Sequence, residues 1–124
     1  MKDNKKVILC IDDDQDFLDS LKIIIEGNGY AVTVAGSAEL GVKKYKEINP
    51  DLVIVDLMME EVDSVINFVK DIKAIGAKQP IYLLSSVGDN LNLNTDYNKL
   101  GLSGVLQKPI NPDVLLKTLK AKLK

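Results

Sequence analysis

Short, largely apolar runs recur along this chain, separated by amphipathic stretches, and four of them stop on a reactive polar residue. Ile8–Ile11 runs into Asp12-Asp13-Asp14, Leu52–Val55 into Asp56, Ile81–Leu84 into Ser85, and Val105–Gln107 into Lys108-Pro109. Aliphatic and β-branched runs of this length mark strands covered on both faces. Strands alternating with helices imply a parallel sheet with helices on both sides. The carboxyl ends of such strands share one edge, and ligands bind there. The pattern therefore sends acids, a hydroxyl and an ammonium to one place. That set suits holding a divalent cation beside a phosphoryl group.

The element boundaries follow from local chemistry. Lys6–Ile11 reads as the first strand. Phe17, Leu18, Leu21, Ile24 and Ile25 form one stripe of a helix that Gly27 and Gly29 stop. Tyr30–Ala35 is the second strand, and Ser37 caps a second helix carrying Leu40, Val42 and Tyr45, closed by Asn49-Pro50. After the third strand, Leu52–Asp56, a third helix is expected with Asp63 or Ser64 as cap. It turns Val65, Phe68, Val69 and Ile72 inward and ends at Gly76. Pro80 opens the fourth strand. The polar stretch Gly88–Asn98 holds Asn90, Asn92, Asn94 and Asn98, and is expected to form a short, weak fourth helix because Asn is a poor helix former. Gly104–Gln107 is the fifth strand. Asn111-Pro112-Asp113 starts the last helix, with Val114, Leu115, Leu116 and Leu119 as its core stripe.

The chain has 124 residues, which fits one compact domain over 1–124. Hydrophobic residues at 46% against charged residues at 27% indicate an ordinary globular composition. A net charge of −2 leaves no electrostatic footprint for nucleic acid, and the basic tail Lys117, Lys120, Lys122 and Lys124 reads as a solvated helix face and end. No apolar run approaches a membrane span or a secretory leader. The lone Cys10 lies inside the first apolar run and has no histidine to activate it, since the chain contains none. These features place the expected location in the cytoplasm.

Each polar strand end has an ordinary explanation when taken alone. One Asp, most simply Asp14, caps the first helix, with Asp16 complementing its dipole. Ser85-Ser86 reads as a polar turn. Lys108 reads as a surface charge. The combination is harder to dismiss. Two further carboxylates beside the cap repel each other and call for a counter-cation, and Mg²⁺ prefers carboxylate oxygens. Asp56, ending a buried strand beside such a cation, becomes a candidate nucleophile toward phosphorus. Lys108 and the Ser85 hydroxyl would stabilise the phosphoryl oxygens.

These five features, in this order across essentially the whole chain, resemble the CheY-like receiver domain of two-component response regulators. The resemblance implies a flavodoxin-like (βα)5 three-layer sandwich with a parallel five-stranded sheet in order 2-1-3-4-5. It implies Asp56 as phosphoacceptor, served by a histidine kinase or a histidine phosphotransfer protein. Asp13 would bind Mg²⁺ directly (Mn²⁺ substituting), Asp12 largely through water, with Asp56 and the Met58 backbone carbonyl also ligating. Lys108 would pair with Asp56 and then with the phosphoryl group, and Ser85 would move toward it. Ser86 and Pro109 would shape the site, with a cis Lys108–Pro109 bond. The domain would signal rather than turn over substrate, bind neither nucleic acid nor membrane directly, and regulate an output partner or domain. The face built from the fourth helix, fifth strand and last helix would carry that output and a homodimer contact.

Three departures from the family pattern stand out. Glu60 and Ser64 replace the usual Pro and Gly after the phosphoacceptor, Val105 replaces an aromatic on the fifth strand, and Ser85 replaces the commoner Thr. The family tunes phosphate lifetime at the positions of Met58 and Val87. Neither side chain can orient a water, so slow self-dephosphorylation is expected. A degenerate receiver that binds a partner without phosphorylation is the alternative, kept open by the loop changes and Val105. Asp12-x-Asp14 also resembles the nucleophile motif of haloacid-dehalogenase-like phosphatases, but the acids those enzymes place after the Lys are Asn111 and Asp113 here, with little chain to follow. A flavin site is rejected, because three carboxylates would repel its phosphate.

Overall fold

The computed structural model describes residues 5–56, 62–86 and 102–123, with side chains omitted at 62–64 and 86. Strands β1 (Val7–Ile11), β2 (Ala31–Ala35), β3 (Leu52–Asp56), β4 (Ile81–Ser86) and β5 (Gly104–Lys108) form one sheet in the order β2-β1-β3-β4-β5. All four pairings are parallel. Helices α1 (Gln15–Glu26), α2 (Ala38–Ile48) and α3 (Val62–Ala74), and a C-terminal helix (Pro112–Lys122), cover it. The expected flavodoxin-like sandwich is the observed one.

Strand alternation splits the core into two layers, because successive side chains point to opposite faces. Leu9, Ile11, Val53, Val55, Ile81 and Leu83 pack on one face against Val65, Phe68, Val69 and Ile72 of α3 and Tyr45 of α2. Ile8, Cys10, Leu52, Ile54, Tyr82 and Leu84 face the other way, onto Leu18, Leu21 and Ile25 of α1 and Leu115 and Leu119 of the C-terminal helix.

Local signals set most helix ends. Asp14 Oδ1 accepts from the Phe17 N–H (3.2 Å), Ser37 Oγ from Leu40 N–H (3.1 Å), and Asn111 Oδ1 from Asp113 N–H (2.9 Å), so the expected caps are the observed ones. Asn49 closes α2 in the left-handed region, with φ 46°. Helix α1 ends where expected, at the Gly27–Gly29 turn: Gly27 is the C-cap and stays right-handed at φ −64°, and Gly29 takes the positive φ of 95°. Helix α3 is already formed at Val62, so Asp63 and Ser64 fall inside its first turn rather than capping it. The stretch Gly88–Asn98 lies outside the described residues.

Two expected core positions face out. Leu40 is 45% exposed and Val114 52%. In α2 the position nearest the sheet is Gly41, where a Cβ would stand 2.5 Å from Ile11 Cδ1 and 3.1 Å from Phe68 Cε1. The helix approaches so closely there that glycine, invisible to a hydrophobic count, sets the inward face and rotates Leu40 outward. In the C-terminal helix the buried pair is Leu115 and Leu119, a spacing of one turn, which leaves Val114 at the margin.

The amino edge of the sheet is tied by polar contacts. Asp51 Oδ2 accepts from Val7 N–H (2.8 Å), while Gln79 accepts from the Tyr45 hydroxyl (2.8 Å) and donates to Asn49 Oδ1 (2.9 Å) and Pro50 O (2.8 Å). These contacts fix strand starts and leave the carboxyl edge for chemistry.

Cys10 is fully buried, and burial, aided by the Asp12 charge, pushes its thiol from 9.0 up to about 12. A raised folded value means that stability is complete below the unfolded thiol's pKa and falls as pH rises from there toward the folded value. We expect a decline of up to about 1.4 kcal/mol per pH unit in that window. Urea unfolding of wild type and Cys10→Ala at about pH 8 and about pH 10 should show a flatter dependence in the variant. Parallel curves would contradict the assignment.

Candidate functional site

Strand register delivers the polar residues to one edge. Ile11 sits opposite Val55, so Asp12 and Asp56 leave neighbouring strands at the same level. Asp56 pairs with Leu84, one residue before Ser85, and Ser85 pairs with Gln107, one residue before Lys108. Four positions, 12, 56, 85 and 108, are thereby gathered at the carboxyl edge of β1, β3, β4 and β5.

The Asp12, Asp13 and Asp56 carboxylates each offer an oxygen, and these oxygens all lie within 4.8 Å of one another. Asp12 is fully buried, Asp56 nearly so, and Asp13 is exposed, which gives the cluster a sealed floor and an open mouth. Asp12 Oδ1 accepts from the Asp14 N–H (2.9 Å), fixing the turn out of β1. The other oxygen, Oδ2, lies 2.7 Å from Lys108 Nζ, yet accepts no hydrogen bond of good alignment among the described residues. Charge at contact distance holds that pair. Lys108 Nζ also stands 3.4 Å from Asp56 Oδ1.

Burial by itself would lower the Lys108 pKa. The polar contact with Asp12 and the charges of Asp56 and Asp12 outweigh it, so the ammonium sits above the ordinary lysine range. Lys108 therefore stays charged. Three carboxylates against one ammonium leave an excess of two negative charges in this cluster. A divalent cation would restore balance and would use the Asp12 oxygen that lacks an aligned donor. The donor chemistry suits a hard, oxygen-seeking ion.

The structure brings together Asp12, Asp13, Asp56 and Lys108, with Ser85 buried at the end of the adjoining strand. One expectation shifts: Lys108 lies closer to Asp12 than to Asp56. The Lys108–Pro109 bond is cis, as expected, and Pro109 is exposed. Met58, Glu60 and Val87 lie outside the described residues, as does the Ser86 side chain. Val105 is half-buried and packs against the α2–α3 side of the core. Sequence reasoning missed Phe17, taken as plain core stripe. Its ring lies under the Lys108 ammonium, 4.4 Å from Nζ to the centroid. Its place at the edge of the α1 stripe, three residues after the cap Asp14, was the available signal.

The fold and the site together define a flavodoxin-like α/β domain with an acidic, cation-ready pocket and a charged lysine at its carboxyl edge. The chain belongs to the response regulator receiver domain family, whose model matches residues 8–120. It is 33% identical over 117 residues to the chemotaxis protein CheY of Bacillus subtilis (strain 168), covering 94% of this chain and 96% of that protein. Identity to the DNA-binding response regulator MtrA of Mycobacterium tuberculosis (strain ATCC 25618 / H37Rv) is 27%, over 94% of this chain and 50% of MtrA, so the chain spans about half of that relative. A crystal structure of a CheY-like response regulator receiver domain protein from Methanospirillum hungatei JF-1 matches with a TM-score of 0.85 at 27% identity, covering 97% of this chain and 94% of that one. The chain is thus the receiver domain of a two-component response regulator, a signalling domain. Among the described residues, no helix is long and apolar enough to cross a membrane.

Proposed function

We propose that this domain serves a phosphorelay, accepting a phosphoryl group on Asp56 from a histidine kinase or histidine phosphotransfer protein and passing that state to an output partner or domain. The observation that carries this reading is the cluster of three close carboxylates, two of them in contact with one retained ammonium. Asp12, Asp13, Asp56 and the Met58 carbonyl are the residues that would hold Mg²⁺. When bound, the ion supplies positive charge that offsets the negative oxygens of the incoming phosphoryl group.

The chain's own residues do the rest. An Asp56 carboxylate oxygen forms a bond to phosphorus while the bond from phosphorus to the donor's leaving group breaks, and the electron pair departs with that group. Lys108, kept protonated by its acid neighbours, offers charge to the phosphoryl oxygens. Ser85 offers a hydroxyl from the next strand. Release from Asp12 and Asp56 toward the new dianion would draw Lys108 across the pocket. Ser86 and Pro109 border this path in sequence. With Val105 in place of an aromatic, output through an aromatic rotamer on β5 has no side chain to use.

Intact mass after treatment with acetyl phosphate tests the proposal. We expect a gain of one phosphate with Mg²⁺ or Mn²⁺ present and none after chelation. Since Met58 and Val87 carry no base to orient water, the added mass should decay slowly once donor is removed. Absence of any gain under all conditions would favour a phosphorylation-independent binding module instead.

A further inference from the structure

We infer that Phe17 is a positioning residue for Lys108, its ring face holding the ammonium beside the buried carboxylates of the acid cluster. This rests on the proposed phosphoacceptor reading for its functional consequence, but the placement itself rests on geometry alone.

Lys108 Nζ stands 4.4 Å from the Phe17 ring centroid, inside the range where an aromatic quadrupole attracts a cation. The ring is itself held. Phe17 belongs to the first turn of α1, and its N–H donates to the cap Asp14, so the helix start that carries Asp14 also fixes the base of the ring. Core packing does not require an aromatic at this place. Phe17 is only half-buried, and the rest of the inward stripe is Leu18, Leu21 and Ile25, all aliphatic.

The ring gives Lys108 something the acids cannot. A lysine side chain has a flexible stem, and its contact with Asp12 Oδ2 lacks hydrogen-bond alignment. Two carboxylates at 2.7 and 3.4 Å pull the ammonium into the pocket, where it competes with any cation for the same oxygens. A π-face attracts the ammonium from another side without accepting a proton or ligating a hard metal. It lets the ammonium remain beside Asp12 and Asp56 without being locked to either. An aliphatic residue would preserve the apolar stripe and lose this restraint.

The test compares Phe17→Leu, which keeps apolar bulk, with Phe17→Tyr, which keeps the ring. The first readout is side-chain NMR of the whole chain, with neither metal nor phosphodonor added. In wild type, the Lys108 Hε protons should lie upfield of the exposed lysines, and the Lys108 Cε group should be stiffer than theirs. Phe17→Leu should loosen that group, and Phe17→Tyr should not. The second readout is the rate of phosphate uptake from acetyl phosphate with Mg²⁺. Phe17→Leu should slow it by about fivefold, with Phe17→Tyr near wild type and thermal midpoints of the two variants alike. Wild-type Lys108 protons resonating with the exposed lysines, or equal Lys108 mobility and equal rates in both variants, would overturn the inference. If wild type takes up no phosphate at all, the phosphoacceptor reading fails, while the NMR comparison still decides whether Phe17 places Lys108.

Discussion

Asp56→Asn should leave the protein folded and reduce its phosphate uptake from acetyl phosphate to nothing. An amide of nearly the same shape fills the same end of β3, so the register with β4 is undisturbed. The nucleophilic carboxylate is gone, and no acyl phosphate can form. Lys108 keeps its closer partner, Asp12 at 2.7 Å, so the ammonium is not stranded. The cluster loses one of its mutually repelling charges, and folding stability without metal should be maintained or rise. Mass spectrometry of both proteins treated side by side reads the result. A variant that gains phosphate as wild type does would refute the assignment of Asp56, whatever the fate of the other residues.

A second large effect is expected far from the pocket. Phe68→Ala should destabilise the domain by about 3–5 kcal/mol, the range for deleting a buried aromatic ring. Phe68 is 1% exposed in the layer between the sheet and helices α2 and α3. Across from the ring, α2 presents Gly41, which has no side chain to move into the void, so filling it falls to neighbours such as Val42. Against a typical domain stability of about 5–15 kcal/mol, the expected loss is a large share. Urea denaturation gives the number directly. A loss below about 1 kcal/mol would show that the layer repacks and that the close approach at Gly41 is not rigid.

Much of the architecture is legible in the residues because its signals are local. Alternation in Leu52–Asp56 and Val7–Ile11 fixes which side chains share a face. Asp14, Ser37 and Asn111 announce helix starts through a hydrogen bond reaching only two or three residues. Errors arose where the deciding contact was remote. Leu40 and Val114 have the right character for the core, but the rotation of each helix is set by what lies across the interface, such as Ile11 and Phe68 against Gly41. Likewise the residues before α3 gave two candidate caps, yet the helix begins earlier, at Val62. Propensity marks such a boundary only to within a residue or two.

The order of acids, hydroxyl and lysine at successive strand ends was enough to gather them at one edge, because parallel strands joined by helices have all their carboxyl ends on the same side. What order could not supply was distance. That Lys108 rests nearer Asp12 than Asp56, that an Asp12 oxygen is buried without an aligned donor, and that Phe17 lies beneath the ammonium are results of how α1 and β5 pack across the sheet. Charge balance and ring contact depend on separations of a few ångströms, and only the folded chain brings residues 17 and 108 that close.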